Sequence, residues 1–178
     1  MTILLAIVLI AGFTTTSKAQ ISIGAKAGIA MPMGDFGDSY GMGFGGSAIG
    51  EYALNDNMAV GLNVGFYTFG GKDLPSGVTA SFNFIPIIAD FKYFFMTEGF
   101  MPYVGAGLGM YMMTSKSEIS ALSFSTSESG FGFAPKAGFW MGEGFKYGAS
   151  LEYNIVSFAS TSVGHLGINV GVIYPLGK

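Results

Sequence analysis

The chain has 178 residues, half of them hydrophobic, with 29 glycines, no cysteine and a formal net charge of −3. That length suits one domain, and with no cysteine there is no disulfide framework. The chain has no arginine and no basic cluster, which excludes a nucleic-acid partner.

In chain order, residues 1–19 read as a secretory signal peptide. Ile3–Phe13 is its apolar region, Thr14–Lys18 a polar patch, and Ser17-Lys18-Ala19 the small-residue site for a cut ahead of Gln20. Met1-Thr2 offers only the terminal amine where a basic start is usual. Cleavage would leave residues 20–178 with a net charge of −4, since Lys18 departs with the signal. The 11 residues of Ile3–Phe13 fall short of the roughly 20 that a helical membrane span needs.

From Gln20 onward apolar residues alternate with polar residues or glycine, which is the period of a strand. The alternation predicts strands near 21–31, 40–54, 58–69, 81–95, 101–114, 129–142, 145–158 and 164–175. In the first, Ile21, Ile23, Ala25, Ala27 and Ile29 share one face, while Ser22, Gly24, Lys26 and Gly28 share the other. In the third, Val60, Leu62, Val64 and Phe66 oppose Ala59, Gly61, Asn63 and Gly65. A soluble sheet buries its apolar face in a core. Here the opposite face carries isolated charges and glycines, as in a transmembrane β-barrel that is apolar toward lipid and polar within. Lipid tolerates no unpaired backbone, so such a sheet must close on itself. A lipocalin-like soluble barrel would show the reverse parity.

Connections alternate long and short. Pro32–Ser39, Gly70–Ala80 and Ser115–Glu128 are long, while Asn55–Asn57, Met96–Phe100 and Glu143-Gly144 are short and rich in turn-forming residues. Only Ala159–Gly164 blurs the rhythm. Long outer loops and short periplasmic turns are the outer-membrane pattern. The expected architecture is therefore all-β, an eight-stranded antiparallel up-and-down barrel over residues 20–178, monomeric, with both termini periplasmic.

Two aromatic girdles are expected at the membrane boundaries. Tyr52, Phe94, Phe95, Phe100, Tyr103, Phe145, Tyr147 and Tyr174 fall at periplasmic ends, and Tyr40, Phe66, Tyr67, Phe131 and Phe133 toward the outer loops. Pro86 and Pro135 fall in mid-strand, where a bulge or an unpaired carbonyl is expected. Half of 115–128 is Ser or Thr, with Ile119, Leu122 and Phe124 interspersed. This favours a pair of strands protruding beyond the membrane over a mobile loop, with an edge free for strand addition.

The eight strands, the Gly50-Glu-Tyr-Ala-Leu-Asn-Asp-Asn57 run ending in a tight turn and the Pro102-Tyr-Val-Gly-Ala-Gly-Leu-Gly109 run together resemble the small outer-membrane β-barrel family, which includes the OmpA transmembrane domain and OmpX. The resemblance covers residues 20–178 and implies a location in the outer membrane, in contact with its lipid and lipopolysaccharide. The chain departs from the pattern at its end, Tyr174-Pro-Leu-Gly-Lys178, where such barrels usually finish on an aromatic residue recognised by the assembly machinery. The peptidoglycan-binding domain of full-length OmpA is not expected after the last strand.

Parity places Lys26, Glu51, Asp90, Lys92, Lys136 and Glu152 in the lumen, three cations and three anions. Buried charges must pair, so a structural network is expected in place of a hydrophobic core. Inward glycines, among them Gly61, Gly105 and Gly107, make room for the long side chains. A narrow channel for ions or small solutes is the alternative. Gly41-Met-Gly43-Phe-Gly45-Gly46 matches a dinucleotide fingerprint in spacing only, because a strand runs through it, so no cofactor is expected.

His165 is the single histidine, which argues against a multi-histidine metal site. With Ser160 or Ser162, and Glu118 or Glu128 from the neighbouring loop, it is the sole candidate for a lipid-modifying triad. A solvated loop-end histidine is the simpler reading. Asp35 and Asp38 are read as turn-forming aspartates rather than as a divalent-cation bridge to lipopolysaccharide. The function favoured is a non-enzymatic barrel that supports the envelope and displays its outer loops to a surface or host protein.

Overall fold

The structure is a computed structural model that describes residues 21–72, 78–119, 122–159 and 161–176. The expected signal peptide at 1–19 and the triad candidate Ser160 lie outside these residues. Eight strands follow one another: β1 (Ile21–Met33), β2 (Gly43–Ala53), β3 (Met58–Gly70), β4 (Val78–Phe94), β5 (Phe100–Ile119), β6 (Leu122–Met141), β7 (Lys146–Ser157) and β8 (Ser162–Pro175). Every neighbour in sequence is an antiparallel neighbour in space, and β8 pairs with β1 to close the barrel.

Closure is staggered. Ile23 pairs with Gly50, then Leu62, Ala89, Leu108, Phe133, Ile155 and Gly164 follow in turn, and Gly164 meets Met33. One circuit thus climbs from residue 23 to residue 33 of β1. A stagger of this kind requires strands tilted by roughly 35–45° and a lumen just wide enough for side chains.

Parity holds throughout. Ile23, Leu62, Leu108, Leu151 and Val170 are exposed on the outer wall, while Lys26, Asn63, Asp90, Lys136 and Asn169 are buried inside. The short turns use local chemistry. Asn57 donates its backbone N–H to Asn55 Oδ1 at 2.9 Å and its side-chain amide to the Phe94 carbonyl at 2.9 Å. Gly99 (φ 63°) and Gly144 (φ 75°) supply the left-handed positions that other residues rarely adopt.

The structure departs from the sequence reading in three places. A five-residue helix, α1 (Asp35–Ser39), stands at the outer mouth, and Phe36 points from it into the barrel and is buried. Pro86 and Pro135, by contrast, give one of the two outcomes expected of them, a break in pairing without a bulge. The β3–β4 ladder skips Gly65 and Phe66 opposite Pro86, the β6–β7 ladder skips the residues opposite Ala134 and Pro135, and both resume in unchanged register. The other neighbour stays fully paired at each proline, so the cost is a local gap rather than an extra residue. Tyr67 and Tyr103, expected in the girdles, are buried in the lumen, and Phe94 packs against the inner core. Phe66, Phe131 and Phe133 on one side, and Phe95, Phe145, Tyr147 and Tyr174 on the other, do face outward. Finally, His165 is not solvated; it is 4% exposed, inside the barrel.

The protruding pair of strands is present in the backbone. β5 and β6 remain paired up to Ile119 and Leu122, and β4 accompanies β5 to Val78. On its other side β6 pairs with β7 no further than Phe131 and Ser157.

Candidate functional site

The lumen is layered. Toward the outer mouth lies an aromatic plug of Phe36, Phe69, Phe82, Phe84, Tyr111 and Phe158, together with smaller apolar side chains. Its rings meet mostly edge-on or tilted; Phe82 and Phe84 have centroids 4.7 Å apart and Phe36 and Phe82 5.0 Å, within the range where aromatic pairs attract. Toward the short-turn end lies a smaller apolar layer of Ile49, Met101, Tyr103, Trp140 and Ile173. The charges sit between the two.

All six lumen residues named from the sequence are buried, and they meet in pairs. Lys26 binds Glu152 and Lys92 binds Glu51. Lys136 binds Asp90 Oδ1 at 2.5 Å and lies 3.7 Å from Glu152 Oε2, which joins two of the pairs. Ser150 donates to Glu152 Oε1 at 3.2 Å. Each of the three main pairs skips one strand, and that strand presents glycine to the charges. Gly61 on β3 lies opposite Glu51 and Asp90, Gly105 on β5 opposite Lys92 and Lys136, and Gly171 and Gly167 on β8 opposite Lys26 and Glu152. A Cβ at Gly61 would meet Glu51 Cγ at 3.3 Å, and one at Gly171 would meet Lys26 Cγ at 2.8 Å. The Lys92 ammonium also lies 5.0 Å from the Tyr103 ring centroid and 5.8 Å from that of Trp140, within cation–π range.

Neutral polar groups absent from the sequence reading complete the layer. Tyr67 donates to Asn169 Oδ1 at 3.1 Å, and Tyr111 to Asn154 Oδ1 at 2.7 Å. These residues share the inward parity of the lysines, so alternation alone could have found them. Alternation also puts His165 inside, on the same face of β8 as Asn169. Its ring lies 5.6 Å from Phe84 and 5.8 Å from Phe69, and its Nδ1 has no hydrogen-bond partner among the described residues.

The Glu118 side chain, like Ser160, lies outside the described residues, and of the remaining triad candidates His165 and Ser162 do not converge. Ser162 is exposed on the opposite face of β8, where its hydroxyl lies 3.5 Å from that of Ser157. A nucleophile needs its base within hydrogen-bond reach, and His165 is walled off by the plug. Asp35 and Asp38 are exposed in α1. Among the described residues no group of three His, Cys, Asp or Glu is placed to hold a metal ion.

Solved structures with the same fold are outer-membrane barrels. Neisserial surface protein A aligns with a TM-score of 0.59 at 19% identity, covering 86% of this chain and 96% of that one. Ail, the attachment invasion locus protein of Yersinia pestis, aligns with a TM-score of 0.54 at 20% identity over 88% and 97%. A major outer membrane protein from Thermus thermophilus gives 0.59 at 16% over 89% and 100%. A search of curated proteins finds no match. The family model described as the outer membrane protein beta-barrel domain matches residues 2–174, and the chain belongs to that family as a protein of the outer membrane.

Proposed function

We propose that this barrel is a non-enzymatic, monomeric surface protein that reinforces the outer membrane and offers the free edge of its protruding sheet to a partner. The observation that carries the reading is the unmatched length of β6. One side is paired with β5 up to Leu122, whereas its other side loses β7 beyond Phe131, so residues 122–130 leave one row of backbone groups without a strand partner among the described residues. Unpaired edges template strand addition. The Ser- and Thr-rich face here keeps that edge soluble: Thr114 and Ser127 meet hydroxyl to hydroxyl at 3.2 Å. Attachment is what the name of the Yersinia pestis Ail protein says of that barrel, and the shared fold makes the same use available here.

The channel alternative has less support. A conducting path would have to cross an aromatic layer in which Phe69, Phe84 and Tyr111 are each 1% exposed. Removing the protein from cells should raise their sensitivity to detergent. Restoring a form in which residues 115–126 are replaced by a two-residue turn should recover resistance but not attachment to partner surfaces. Unchanged detergent sensitivity on removal would overturn the envelope role, and full attachment by the shortened form would overturn the display role.

A further inference from the structure

Beyond Phe131 the edge of β6 has a regular chemistry. Pro135 breaks the ladder toward β7 and leaves that toward β5 intact, so residues of its parity turn their N–H and C=O groups to the β7 side. Past the last β7 pair these residues are Ser129, Ser127, Ser125 and Ser123, a serine at every bonding position of the edge. Ser125, Ser127 and Ser129 are exposed, and Ser127 already meets Thr114 hydroxyl to hydroxyl within the sheet. Glu128, the sole charge in 122–130, belongs to the other parity.

An edge of this pattern is complementary to itself. When two copies run antiparallel about Thr126, Ser125 faces Ser127 and Ser123 faces Ser129, and each such pair exchanges both of its backbone hydrogen bonds. Serine opposite serine adds hydroxyl contacts. Glu128 then stands opposite position 124 and not opposite its own copy, so no like charges meet. Direction decides where the second copy lies. Two copies in one membrane, related by an axis along its normal, bring together level, parallel edges, N–H against N–H, and form no ladder. Copies in two apposed membranes run in opposite directions. A two-fold axis between those membranes, perpendicular to the sheet at Thr126, joins the protruding strands of both copies into one sheet through identical, self-complementary surfaces.

We infer that the partner of this edge is a second copy of the chain in an apposed outer membrane, held by antiparallel pairing of residues 123–129. The inference rests on the display role proposed above and names its partner. Each barrel stays a monomer within its own membrane.

The chain has no cysteine, so Thr126→Cys introduces its only thiol. Residue 126 meets itself across the axis, and the Cα atoms of such a non-hydrogen-bonded pair lie about 4.5 Å apart, within reach of a disulfide. Full barrels with a short or a long terminal tag are folded into separate vesicles of zwitterionic phospholipid, outer loops outward. Mixed parent vesicles should cluster, and mild oxidation of mixed Thr126→Cys vesicles should give a covalent dimer that joins the two tags. Ser129→Cys, also exposed but opposite Ser123, should cluster and give no such dimer. Ser129→Pro should lose clustering, because one edge donor is gone. Clustering without an excess of mixed dimer from Thr126→Cys over Ser129→Cys, or undiminished clustering by Ser129→Pro, would overturn the pairing. No clustering of parent vesicles, while parent cells attach to other surfaces and Ser129→Pro cells do not, would overturn the second copy as partner and leave the display role standing. No clustering, with equal attachment by both kinds of cell, would overturn the pairing and the edge together.

Discussion

Lys26 on β1 and Glu152 on β7 form an ion pair across β8, the strand between them, because β8 presents Gly171 opposite one and Gly167 opposite the other. The same device operates over Gly61 and Gly105, so long side chains lie along the wall where a Cβ would stand in the way.

The buried pairs predict a large asymmetric cost. Lys136→Ala leaves the carboxylates of Asp90 and Glu152 partly uncompensated in a site closed to water, and it should destabilise the barrel by about 3 kcal/mol or more. Glu51→Ala should behave alike by stranding Lys92. Urea unfolding midpoints of folded barrels in detergent give the measurement, and midpoints equal to the parent's would refute it. A Lys136→Met/Asp90→Leu double replacement should recover much of the loss, since an apolar isostere of a buried pair is often neutral.

The bridging glycines predict a contrast between the two faces of the sheet. Gly50 lies on the outer face, with no heavy atom within 4 Å of where an added methyl would stand, so Gly50→Ala should be neutral within about 0.5 kcal/mol. At Gly171 the same methyl would come within 2.8 Å of both the Ala25 carbonyl oxygen and Lys26 Cγ. Gly171→Ala should therefore cost about 1–3 kcal/mol. Comparable midpoints for the two variants would show that the lumen has slack the geometry does not reveal.

Much of this arrangement is legible in the sequence, because the period of a strand is two and the inward set follows once one face is fixed. All six charges follow in that way. Tyr67 and Tyr103 have the same inward parity, but their place near strand ends also fits a girdle, and sequence position alone does not decide between the two. The partners of each lysine are hidden for a different reason. Lys26 and Glu152 are not on adjacent strands, so their meeting depends on the stagger accumulated around the barrel, which no local pattern records. Helix α1 leaves no trace in the sequence, because five residues carry too little periodicity to register.

His165 gives a prediction that separates its two readings. An unpaired ring nitrogen among phenylalanines contributes desolvation cost and no bond, so His165→Phe should leave stability unchanged or raise it. Loss of a measurable lipid hydrolysis or acyl transfer in His165→Phe would reverse the assignment.

The plug predicts electrical silence. Phe84 touches Phe36, Phe69, Phe82, Tyr111, Phe158 and His165, and Phe84→Ala should cost about 3–5 kcal/mol by leaving a cavity. In planar bilayers the parent should hold a closed baseline. Reproducible unitary steps in the parent, altered by filling Gly105 or Gly107, would instead establish the channel.

The free edge of β6 supplies the last prediction, and Pro135 supplies its logic. The ladder gap at Pro135 falls on the β7 side while the β5 side stays paired, so the missing N–H belongs to the row facing β7. Residues of the same parity direct their N–H groups the same way. Ser129 is one of them, lies beyond the last β7 pair at Phe131, and is exposed. Ser129→Pro therefore removes one donor from the free edge without touching the β5 ladder, the device by which natural edges are blunted. The variant should match the parent in urea midpoint while cells bearing it lose attachment. Its neighbour Glu128 pairs with Met113 on β5 and has the opposite parity, so Glu128→Pro should instead loosen the protruding sheet. Parent-level attachment by Ser129→Pro would show that the partner is held by side chains of the outer loops and not by the edge.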